Sequence, residues 1–147
     1  MGLRLWLHEG AADDPGCNAW GLDVLGFATW APTRADVLER APQKLEEHCV
    51  WLARHGLPVP ELSPGTEVVE EVVGNEVLFA PDREPATATE IDRTIQMLGC
   101  TRLELLVTVE HLPPEMLSWD PPYRRFAAWA DWRTVNAVLA HIANTET

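Results

Sequence analysis

Basic residues are scarce in this sequence of 147 residues. Lysine and arginine number 11 against 23 aspartates and glutamates, so the formal net charge is −12, and Lys44 is the single lysine. Proteins that bind nucleic acid neutralise its phosphates with lysine and arginine, yet no basic cluster here is larger than Arg124-Arg125. The charge therefore argues against direct binding of DNA or RNA and favours a basic protein partner.

Long apolar runs are also missing. No stretch approaches the roughly 20 apolar residues that a membrane-spanning helix needs, so we expect no association with a membrane. The first ten residues are interrupted by Arg4, His8 and Glu9, and they contain no apolar core of a signal peptide. We therefore expect a cytoplasmic protein.

Cysteine is rare, and the three cysteines, Cys17, Cys49 and Cys100, lie far apart without a CxxC pair. This spacing supports neither a disulfide framework nor a zinc knuckle, so buried free thiols are expected. His48 precedes Cys49, but adjacent residues of a helix point about 100° apart, which prevents a Cys–His couple. The sequence also lacks GxGxxG, Walker, GxSxG and HExxH motifs. No complete catalytic site is expected.

The N-terminal half has the pattern of a small sheet with one helix. Apolar residues make up 46% and charged residues 23%, as in globular chains. Strand patterns are found at residues 3–8, 17–25, 26–31, 66–73 and 76–79. Gly26 is a candidate for either a tight turn or a bulge. The predicted order is β-β-β-α-β, with 76–79 as a further short strand.

The predicted helix of this half follows the third strand. Thr33 and Asp36 have the spacing of a capping box, and Gly56 is a natural stop. Pro42 lies inside the helix and should kink it. We place the end of this first domain at residue 84 and predict an α+β fold, with a helical portion over residues 85–147.

The C-terminal portion is predicted to be two helices. The first spans about Ala88 to His111, and the second begins at Thr134. The first helix has an apolar stripe at helical spacing, formed by Ile91, Ile95, Leu98, Leu105, Val109 and Leu112. Two helices cannot bury such faces alone. They must dock on the sheet, pair with a second copy, or be completed by further chain.

The stretch from Gly26 to Pro60 resembles the HicB antitoxin family. The fitting features are a small-residue strand end, then Thr33, an acidic amphipathic helix ending near Gly56, and a turn containing Pro58. The resemblance implies a small α/β domain for residues 1–84 and contact with a protein partner. The DNA-binding helix-turn-helix or ribbon-helix-helix segment that HicB proteins usually add has no counterpart here.

The second portion resembles the first two helices of the DinB-like four-helix bundles. The resemblance rests on the long first helix, on WDPP at 119–122, and on TV at 134–135 with VLAHIANTE at 138–146. It implies that His141 is one ligand of a divalent metal, zinc or nickel. The other family ligands come from a His pair on a later helix, so the resemblance covers about half of such a domain. His111 and Glu146 are the nearby helpers, and neither matches a family ligand.

Three functions follow from these patterns. The first is a protein-interaction module in which the helices are an accessory or self-associating element. The second is a fragment of a DinB-like metal-dependent hydrolase or thiol transferase that uses His141. The third is an antitoxin-like binder of a small basic toxin. We favour the first, because the sequence contains no complete catalytic site.

Overall fold

The computed structural model describes residues 2–11, 14–61, 63–122 and 132–145. The chain divides into two compact units, residues 1–100 and 101–147. The predicted boundary at residue 84 stays a prediction. In the described ranges, no helix combines the length and the apolar character that crossing a membrane would require.

A four-stranded sheet and one long helix form most of the first unit. The strands are β1 (Leu3–Ala11), β2 (Asp14–Trp20), β3 (Ala28–Ala31) and β4 (Thr66–Val73), and the helix is α1 (Arg34–Arg54). The strand order is β3-β2-β1-β4. The pairs β1–β2 and β2–β3 are antiparallel, whereas β4 runs parallel to β1. This parallel pairing requires a crossover, which α1 supplies.

The core lies between the sheet and α1. Leu3, Leu5 and Leu7 of β1 are buried, as the alternation in the sequence predicts for one face of a strand. They belong to one apolar cluster with the α1 residues Val37, Ala41, Leu45 and Leu52. Each fully buried leucine stabilises the fold by about 1.5–3 kcal/mol through loss of contact with water. The α+β class is confirmed.

The ends of α1 follow the capping signals. The Thr33 hydroxyl accepts a hydrogen bond from the Asp36 amide at 3.2 Å, which satisfies one free donor of the first turn. At the other end, Gly56 has φ +66°, a conformation that glycine adopts without the strain that a side chain would cause. Pro42 lies inside the helix, which continues through it.

Several predicted strands differ from the observed ones: the first extends to Ala11 instead of residue 8, and the third begins at Ala28 instead of residue 26. The second ends at Trp20 instead of residue 25, because Gly21, Val24 and Phe27 form successive turns through backbone hydrogen bonds of 2.7–3.1 Å. Gly26, with φ +76°, lies in this connection. Residues 76–79 form no strand, and they lead into a short 3₁₀ helix over Ala80–Arg83.

The remaining helices are α2 (Ala88–Glu110), α3 (Pro114–Leu117) and α4 (Val135–Thr145). The predicted long helix is confirmed, and a capping box of Thr87 with Glu90 opens it. The division between the two units falls inside α2. The predicted final helix is confirmed as well, and the Thr134 hydroxyl accepts from the Ala137 amide at 3.1 Å. The short helix α3 was not predicted.

Glycine substitutions test the packing of β3 on β2. A Cβ at Gly16 would lie 2.7 Å from Cε2 of the rigid Trp30 indole. We expect Gly16→Ala to lower the free energy of unfolding by about 1–3 kcal/mol, the usual cost of overpacking. Chemical denaturation measures this loss.

The matched control is Gly99→Ala, because a Cβ at Gly99 in α2 would meet nothing within 4 Å. Alanine is a better helix former than glycine, so the free energy of unfolding of this variant should rise by about 0.5–1 kcal/mol. In a Trp30→Ala background the loss from Gly16→Ala should disappear. Equal stability of Gly16→Ala and the parent chain would contradict the packing described.

Candidate functional site

The face of the sheet opposite α1, here called the second face, is aromatic. Trp6 and His8 of β1 are buried there, and Trp20 is the register partner of Trp6 on β2. The Phe79 ring lies 5.6 Å from the Trp20 ring and is itself buried. The Phe79 side chain thus packs on the Trp20 ring from outside the sheet.

Hydrogen bonds hold the covering segment in place. The Gly74 carbonyl lies 2.6 Å from Nε2 of His8. Because a carbonyl oxygen only accepts, Nε2 must carry the proton. The Ala80 amide donates to the Glu70 carboxylate at 2.9 Å, and the Phe79 amide donates to Asp82 at 2.8 Å. The segment therefore lies over the part of the second face where Trp6 and His8 are buried, whereas Trp20 is half-buried.

A small cleft lies where β1, β2 and the start of α1 meet. Its volume is about 320 Å³, and Glu9, Cys17 and Arg34 are among the residues that line it. Arg34 forms an ion pair with Glu71 of β4. Burial, reinforced by the Glu9 carboxylate, raises the pKa of Cys17 to about 11. The thiol is neutral near pH 7, so the cleft holds no activated nucleophile.

His48 and Cys49 do not form a couple either. Nε2 of His48 lies 3.0 Å from the Leu25 carbonyl, and its ring stacks on Trp51 with the planes 11° apart. Burial, with a smaller contribution from Glu46, raises the pKa of the Cys49 thiol. Both side chains therefore take part in the packing of the first unit and not in a Cys–His couple.

His141, the predicted metal ligand, lies on α4 in the second unit. It is exposed, and its ring is 3.9 Å from the Trp132 ring. His111, named as a helper, uses Nδ1 to contact the Val107 carbonyl at 2.7 Å, whereas Glu146 lies outside the described residues. Within the described part of the chain, no three histidine, cysteine, aspartate or glutamate side chains gather as a metal site would require. Metal binding by His141 stays a prediction.

The first unit also contains a pocket that no sequence motif predicts. Its volume is about 150 Å³, and it lies between α2, the connection 21–27 and the segment that follows α1. Val24, Leu52, Leu57 and Met97 form apolar walls, and Arg93, whose side chain is exposed, is also among the lining residues. These residues come from four separate segments, so no local spacing in the sequence could have predicted the pocket.

The first half of α2 has two unlike sides. Met97 packs against the core cluster of the first unit. Ile91, Ile95 and Leu98 are 49, 63 and 59% exposed, and we call these three the outer face of α2. At 100° per residue, the outer face lies on the side of the helix opposite to Arg93 and Met97. The predicted stripe is thus present here, but the sheet does not cover it.

Comparison of the chain with protein-family models, with curated proteins and with solved structures gave no match.

The buried thiol of Cys17 predicts a pH dependence of stability. The ordinary pKa of the thiol is 9.0 and the folded value is about 11, so the folded state holds more protons between these values. Stability should therefore fall as the pH rises through this window, by up to roughly 2–3 kcal/mol. Denaturation curves measured from pH 8 to 11 report the slope.

Two variants isolate the contribution of this thiol. Cys17→Ala should lose most of the fall in stability and keep the part that comes from the raised pKa of Cys49. Cys100→Ala should keep the full fall, because Cys100 is only half-buried and lies far along the chain on α2. An unchanged slope in Cys17→Ala would show that another group causes the pH dependence.

Proposed function

We propose that this chain is a protein-interaction module of the HicB-like type. Its helical portion, which resembles half of a DinB-like bundle, would serve as the association element, with no complete catalytic site in the chain. The observation that carries the proposal is the outer face of α2, where three large aliphatic side chains are each about half exposed. The β-β-β-α-β order of the first unit agrees with the HicB-like part of the proposal.

The docking of α2 leaves its more apolar side exposed, and this exposure supports a role in binding. The helix contacts its own unit through Met97, while the side with Ile91, Ile95 and Leu98 meets water. Soluble chains rarely expose contiguous apolar patches without a use for them. A helix that turns its more apolar side outwards is therefore suited to bind another polypeptide.

A second copy of the same face is the partner that we propose. Two such helices can pack together so that each covers the stripe of the other, as in helical pairs and bundles, and a two-fold interface uses the same patch twice. The net charge of −12 per chain opposes association. Because salt screens this repulsion, association should strengthen as ionic strength rises.

Light scattering coupled to size exclusion tests the proposal. The parent chain should elute as a dimer at tens of micromolar in moderate salt. Ile95→Glu places a charge at the centre of the apolar contact and should weaken dimerisation at least ten-fold, which corresponds to about 1.4 kcal/mol.

The matched control is Gln96→Glu, which adds the same charge at an exposed position of α2 that points away from the outer face. Its dimerisation should resemble that of the parent chain. A parent chain that is folded by circular dichroism and monomeric at 100 micromolar would contradict self-association through α2. Equal weakening by both variants would show that net charge alone controls the state.

A further inference from the structure

The pocket beside α2 combines apolar walls with one cationic group. Val24 and Leu52 belong to the buried core, and Leu57 and Met97 pack against that core from outside. The volume of about 150 Å³ is comparable to that of apolar cavities that hold a benzene molecule. An apolar body of six to eight heavy atoms would therefore fill it.

Two charged residues line the pocket, Asp23 and Arg93. Arg93 is the one without a hydrogen-bonded or ion-paired partner among the described residues. It makes no hydrogen bond and no ion pair with any residue in the ranges 2–11, 14–61, 63–122 and 132–145. Its charge acts on Glu90, one turn earlier on α2. The Glu90 carboxylate already accepts from the amide and the hydroxyl of Thr87, both at 2.7 Å. No residue of the described ranges therefore occupies the guanidinium donors of Arg93.

The other charged residue of the lining is already neutralised. Both carboxylate oxygens of Asp23 accept hydrogen bonds from the Arg4 guanidinium, at 2.7 and 2.5 Å. This bidentate pair satisfies the carboxylate and cancels its charge locally. Of the charged residues that line the pocket, Arg93 is therefore the one whose charge is not cancelled within the lining, in a chain whose net charge is −12.

We propose that this pocket binds a small apolar monocarboxylate, with its hydrocarbon body between Val24, Leu52 and Leu57 and its carboxylate on Arg93. A guanidinium group matches a carboxylate with two parallel hydrogen bonds. A neutral molecule of the same shape would fill the walls but would leave the guanidinium without an acceptor. The ligand class follows from the single positive charge and the apolar volume. The site is separate from the outer face of α2, so it does not depend on self-association.

Titration of the full chain with benzoate, followed by amide and methyl NMR shifts, tests this site. Benzoate should cause saturable shifts at Val24, Leu57 and Met97. Benzamide, which has the same shape without the charge, should bind at least five-fold more weakly. Arg93→Gln should lower the affinity for benzoate at least five-fold and leave that for benzamide within two-fold.

Two further variants keep the test decisive. Arg83→Gln removes the same charge from a residue outside the pocket lining and should leave benzoate binding within two-fold of the parent chain. Leu57→Trp should fill the pocket and abolish the shifts; if it does not fold, the comparison of the two arginine variants still decides. Equal affinities for benzoate and benzamide, unchanged binding in Arg93→Gln, or no saturable shifts up to 10 millimolar would each overturn the proposal.

Discussion

The rest of the first unit depends on the packing of β1 against α1. β1 lies inside the sheet, with β2 on one side and β4 on the other, so its side chains can point only to the two faces. Leu5 and Leu7, both fully buried, fix which face receives α1. A shift of one residue in this register would exchange them for Trp6 and His8. The alternation of β1 therefore also decides that the aromatic residues lie on the second face, where Phe79 packs on Trp20.

Sequence patterns predicted the parts of the fold that depend on near neighbours. The alternating leucines of β1, the Thr33 cap of α1 and the capping box of Thr87 with Glu90 all involve residues within a few positions of one another. The prediction of a strand at 76–79 is wrong, because a short apolar pattern does not show what the segment will contact. Its position depends on Glu70 and Trp20, which come from two different strands. Contacts of this range have no periodic signal.

The lack of a periodic signal for long-range contacts also decides how much of the candidate sites could be predicted from the sequence. The apolar stripe of α2 could be predicted from its spacing, but the side on which the helix docks could not. Gly26 helps to decide this: its missing side chain leaves room for Met97, and a Cβ there would lie 3.1 Å from the Met97 methyl carbon. Met97, a flexible side chain, thus fills the space beside this glycine turn where the first half of α2 packs against the core. The pocket with Arg93 results from this docking, so it could not be predicted before the docking was known.

The two proposed properties, self-association and carboxylate binding, use opposite sides of α2 and can therefore be separated by substitution. Arg93 and Met97 face the pocket and the core, whereas Ile91 and Ile95 face solvent, and about half a helical turn separates the two sets. A charge placed at position 95 therefore leaves the guanidinium and the pocket walls in place, and loss of the guanidinium leaves the aliphatic face in place. If one substitution impaired both properties, the cause would have to be movement of the whole helix. Met97 is the contact through which such movement would act, because it packs this half of α2 against the core.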